Sequence, residues 1–123
     1  MRRAFCIFII PILFFIVSLV TIKDYGISWD EPAHFFRGQA FLNFFLTGNR
    51  DFSNLQGGSR LSYYQEPSLT AEYFFKVDGG HPPLNGILAS LTNYVFYQKL
   101  PIMGDIESYH LFNILCSTFL VLI

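Results

Sequence analysis

Two acids stand side by side at Asp30 and Glu31, after Trp29 and before Pro32. A helix N-terminus favours negative charge, so carboxylates placed there stay ionised near neutral pH. An ionised carboxylate can take the proton of an attacking hydroxyl, which makes either acid a candidate general base. A plain role competes with this one. Acids stabilise a helix start by about 0.3–1 kcal/mol without doing any chemistry. Further along the same segment His34, Arg37 and Gly38 fall on one side of a helix. Asp78 and His81 flank Gly79-Gly80 just ahead of Pro82-Pro83. His81 can cap the helix that follows or bind substrate there. Asp30, His34, Asp78 and His81 could in principle share a metal ion. Their spacing lacks the tight repeats of metal sites, so a divalent metal is not supported and no cofactor is certain. Arg37 and Arg60 are the cations best suited to meet a phosphate.

The elements that must position these residues follow from composition. Of 123 residues 14% are charged and 52% hydrophobic, and the aromatic residues are 15 Phe, 7 Tyr and 1 Trp. Such a chain has ample surface to bury, which excludes a disordered tail. The net charge of −1 gives no basic field for nucleic acid. Cys6 and Cys116 lie in apolar runs and read as small hydrophobes, not as a disulfide or zinc framework.

Residues 4–22 carry no charge and, at about 1.5 Å per residue, span about 28 Å, close to the thickness of a bilayer core. They are expected to form a first transmembrane helix with Pro11 near its middle. A cleaved signal peptide is the alternative, but no clear small-x-small site follows. Arg2 and Arg3 favour a cytoplasmic N-terminus. Residues 24–80 then form an outer loop, periplasmic, extracellular or ER-lumenal. Pro32 and Gly48 bound an interfacial helix over about 32–46, polar in its first turns and apolar afterwards. A short helix is expected over 69–77. A second transmembrane helix is expected over 82–100, where Gly86 and Ser90 allow close helix contact. A third, capped by Ser108, runs over 108–123 and is cut off by the end of the chain. The expected fold class is an all-α membrane protein fragment, the N-terminal part of one polytopic, multi-pass domain.

Three segments, in this order, resemble the start of GT-C superfamily integral-membrane glycosyltransferases: Trp29-Asp30-Glu31-Pro32, His81-Pro82-Pro83-Leu84 and Tyr109 to Leu115. The likeness is greatest to glycosyltransferase family 39, the protein O-mannosyltransferase and aminoarabinose-transferase type. The resemblance implies an enzyme several times longer than this chain. Such an enzyme moves a sugar, with inversion, from a polyprenyl- or dolichyl-phosphate donor to an acceptor protein or glycolipid on the outer face. It implies Asp30 as the catalytic carboxylate with Glu31 beside it, and a pocket near His81 to Pro83. It also implies membrane lipid and a lipid-linked sugar as partners. Arg37, His34 and Asp78 are the local candidates for binding substrate. Many relatives open the third span with Arg where this chain has His110, so no phosphate contact is carried over there. Alone, residues 1–123 are expected to be inactive. The competing expectation is a non-catalytic polytopic membrane protein, a transporter or assembly subunit, whose outer loop binds a partner.

Overall fold

The structure, a computed structural model, describes the backbone of residues 2–55, 60–78 and 81–123, with side chains from residue 7 onward. The glycine pairs Gly57-Gly58 and Gly79-Gly80 lie outside the described residues. The described elements are all helical: α1 (Arg2–Val20), α2 (Glu31–Thr47), α3 (Ala71–Val77), α4 (Leu84–Asn93) and α5 (Asp105–Leu122). A short 3₁₀ turn, Ile22–Asp24, follows α1, and a π-helical segment, Tyr94–Lys99, continues α4. Among the described residues there is no strand.

The membrane expectation is corrected. Among the described residues no helix is long and apolar enough to cross a membrane. The three expected spans, the multi-pass topology and the cytoplasmic N-terminus assigned on that basis are therefore not supported. The reasons are local. The second expected span stops being α-helical at Asn93, after 10 residues. The third starts earlier than expected, at Asp105, and takes Asp105 and Glu107 into its first turn.

The interfacial helix is corrected too, because α2 is a central element. Phe35 and residues 37 to 43 are all buried. Its limits follow from Pro32 in the first turn and from Gly48, whose φ of 77° lets its N–H reach the Phe44 carbonyl at 2.8 Å. Glu31 is the first helical residue, although the residue before a proline favours extended backbone.

Helix α4 lies between α2 and α5, α3 rests on α2, and α1 packs along α5. Glycines set the α2–α4 spacing. A methyl group added to Gly38 would collide with the Gly86 carbonyl, and one added to Gly86 would collide with the His34 carbonyl. With both side chains absent, the two backbones touch.

Polar side chains fill the rest of this seam. Gln39 donates to the Asn93 Oδ1 at 3.0 Å and to the Tyr109 hydroxyl at 2.6 Å. Asn93 donates to Asp105 Oδ1 at 2.7 Å and to Ser108 Oγ at 2.8 Å. Gln98 closes the network on Asn93 at 2.8 Å, five residues back. The π turn sets that reach, and its i+5 bond runs from the Leu100 N–H to the Val95 carbonyl at 2.8 Å. Ser108, expected as a helix cap, is fully buried inside α5 and serves this network. Burial, above all, pushes the Tyr109 phenol far above its ordinary range, so it acts here as a neutral hydroxyl. A largely buried network of this kind is stable only because its members satisfy one another.

The α1 side differs. Ile22, Leu111 and Ile114 form its small core. Ile10, Val17 and Val20 of α1, and Phe119 and Leu120 of α5, remain exposed.

Candidate functional site

Asp30 and Glu31 are consecutive, and a helical turn of about 100° per residue sends them apart. Asp30 occupies the N-cap position of α2 without a side-chain capping bond and is 73% exposed. Its Oδ1 accepts from the Ser28 hydroxyl at 3.0 Å, and its Oδ2 stands 3.9 Å from His34 Nε2. His34 in turn faces Arg37, with NH1 3.3 Å from Nδ1. A guanidinium only donates, so Nδ1 is the acceptor and neutral His34 carries its proton on Nε2, facing Asp30.

Arg37 lies buried under the ring of Phe74 and makes a charged pair with Asp78 through Nε and NH2. Asp78 uses its other oxygen to accept from His81 Nδ1 at 2.7 Å. His81 is 67% exposed, and its Nε2 is left for a ligand. Five of the seven residues nominated from the sequence thus form one run, exposed at Asp30 and His81 and buried at Arg37: Asp30, His34, Arg37, Asp78 and His81. Packing joins its two halves in the middle, where Arg37 meets Asp78. Arg37 and Asp78 are 41 positions apart in the chain.

This geometry changes two roles. Arg37 is not a free cation for a phosphate, because Asp78 already neutralises it and its guanidinium is covered. It positions Asp78, which orients His81. His81 does not cap α4, whose cap position is Pro83.

Glu31 turns into a different neighbourhood. Its Oε2 accepts from the Ser28 N–H at 2.8 Å and lies 3.4 Å from His110 Nε2. Glu31 is 23% exposed and His110 only 7%. Both line a cavity of about 240 Å³ between the end of α1, the 25–26 turn and α5. Phe14 and Ile114 give it apolar walls, and Ser18, Tyr25, Asn113 and Ser117 give it polar ones. Neither Asp30 nor His81 borders this cavity.

Sequence reasoning did not find His110 as a site residue, because its partner is 79 positions away. A signal was present. His110, Asn113 and Ser117 recur at i, i+3 and i+7 on a helix that is otherwise apolar beyond its first turns. Among the described residues no three His, Cys, Asp or Glu side chains are grouped to hold a metal ion. Arg60 lies elsewhere, over the ring of Tyr97 at 3.9 Å.

Comparison with protein-family models, with curated proteins and with solved structures finds no match for this chain.

Proposed function

We propose that this chain carries part of the catalytic apparatus of a glycosyltransferase. The enzyme moves a sugar from a polyprenyl- or dolichyl-phosphate donor to a hydroxyl of a protein or glycolipid. The reading rests on the family resemblance of the three sequence segments. The observation that carries it is the run from Asp30 through His34, Arg37 and Asp78 to His81. It offers an accessible carboxylate at one end and a buttressed imidazole at the other.

The reaction uses those two ends. The acceptor oxygen forms a bond to the sugar C1 while its proton passes to the Asp30 carboxylate. The bond from C1 to the donor phosphate breaks on the opposite face, and the phosphate leaves with the electron pair. His81, held through Nδ1 by Asp78, presents Nε2 to that phosphate as a hydrogen-bond donor in its protonated form. The Ser28 hydroxyl, which donates to Asp30 Oδ1 at 3.0 Å, keeps the carboxylate oriented. General-base help of this kind accelerates a reaction by about 10²–10⁴-fold.

Asp30→Asn in the full-length protein tests the assignment, with transfer followed from a synthetic polyprenyl-phosphate sugar. Asp30 is exposed, so the helix content should not change. Turnover should fall by about 10²–10⁴-fold with donor binding retained. Near-normal turnover would overturn Asp30 as the base. Trp29 is fully exposed beside the acids and favours a second reading, in which the 24–80 region binds a partner without catalysis. A wild-type protein that shows no transfer but loses a partner on Trp29→Ala would establish that reading instead.

A further inference from the structure

We infer a binding site for a short extended peptide with an acidic side chain, in a cavity of about 670 Å³ between α2, the π segment and the chain around Leu55 and Leu61. The inference does not rest on the proposed transfer reaction, and neither Asp30 nor His81 borders this cavity. Its walls follow from helix geometry. Gln39, Leu42, Asn43 and Leu46 recur at i, i+3, i+4 and i+7 and form one face of α2. The π segment brings Tyr94, Gln98 and Lys99 to the same space. Wide turns of this kind are frequent at functional positions.

Charge, amides and apolar surface together select the ligand. Arg60 and Lys99 are exposed at the mouth, and among the described residues no Asp or Glu lines the cavity. Each cation is held over a tyrosine ring, Arg60 at 3.9 Å from that of Tyr97 and Lys99 at 5.2 Å from that of Tyr94. Arg37, Arg50 and Lys76, by contrast, already have carboxylate partners. Gln39, Asn43, Asn54, Gln65 and Gln98 bring side-chain amides to the walls. A side-chain amide offers the same donor and acceptor as a peptide unit, so it pairs with the backbone of an extended chain. Two of their mutual bonds are long. Gln65 donates to Gln98 Oε1, and Gln98 to Gln39 Oε1, both at 3.4 Å. Gln98 stays anchored on Asn93 at 2.8 Å, which leaves its Oε1 and the Gln65 amide to a ligand. Leu42, Leu46, Leu55 and Leu61 supply apolar surface for a neighbouring side chain. The volume lies within the range of about 300–1,000 Å³ typical of pockets that enclose whole ligands, too large for a lone inorganic anion. A polyprenyl chain would cover the amides without bonding them, which is unfavourable.

Calorimetric titration of the chain with acetyl-Leu-Glu-Leu-amide tests the site, with acetyl-Leu-Gln-Leu-amide as the uncharged control. The acidic peptide should bind saturably and shift the side-chain amide NMR signals of Gln65 and Gln98. The uncharged control should bind about tenfold more weakly, the effect of losing a charge-assisted hydrogen bond. The acidic peptide should also weaken as salt is raised. The double variant Arg60→Gln, Lys99→Gln changes only exposed positions. It should bind both peptides alike, a loss of discrimination that a loosened fold would not by itself produce. The site is refuted if neither peptide saturates, or if the double variant still prefers the acidic one. Hexanoate or geranyl phosphate binding more tightly than the acidic peptide would refute the peptide and assign the cavity to a lipid-like anion.

Discussion

Asp30 and Glu31 share a sequence neighbourhood and almost nothing else. The first stands in solvent at one end of a run of side chains that passes beneath Phe74 at Arg37 and resurfaces at His81. The second leans over a recess whose polar groups hold little. The difference teaches that an acidic doublet at a helix start is two addresses rather than one. The sequence places the pair, and the pitch of the helix assigns each member a side. What keeps both addresses fixed is the same frame, the glycine contact between α2 and α4 that seats Pro32, His34 and Arg37.

Disturbing that frame should have the largest effect on stability. In Gly38→Ala the new methyl meets a backbone carbonyl, which cannot rotate away. The cost should reach about 3 kcal/mol, the upper end for overpacking, and the urea midpoint should drop. Both the Asp30 run and the Glu31 recess should be lost together. A wild-type midpoint would mean that the helices do not touch there.

Arg37→Leu should separate the two regions. It leaves Asp78 largely buried without its cation, at a cost of about 2 kcal/mol once partial exposure is discounted. His81 should lose its fixed orientation, visible as a change in its ring NMR chemical shifts, while the His110 ring signals stay put. A matching change at His110 would show the two regions to be coupled.

Ser90→Ala should have the smallest effect, and in the opposite direction. Ser90 is fully buried in the seam, and its hydroxyl has no partner among the described residues. Removing an unmet hydroxyl should raise stability by up to about 1 kcal/mol, read as a higher urea midpoint. A clear loss would mean that the hydroxyl is bonded.

Local signals were legible where a residue's own conformation decides the outcome. Pro32 and Gly48 mark α2 to within a residue or two, and Pro82-Pro83 announce α4. The partners of His34, Arg37 and Gly38 across the fold were not legible. They depend on α4 returning to α2 and on Asp78 arriving beside it. Apolar composition misled in the other direction. It is set by residue type alone, so it reads a helix packed on neighbours much like one packed in lipid. Asn93, Gln98 and Ser108 were the correction available in the sequence, since amides and hydroxyls at those positions need partners from other helices.

The wide turn over Tyr94–Lys99 has a consequence for how this chain tolerates changes in length. A π segment amounts to one extra residue within α-helical winding. Deleting a single residue there would restore regular winding and shift everything after it by about 100°. Gln98 would swing off Asn93, and the approach to Asp105 would begin from a different azimuth. Length is therefore more constrained in this stretch than side-chain identity, and a one-residue deletion should be harder to accommodate than most substitutions.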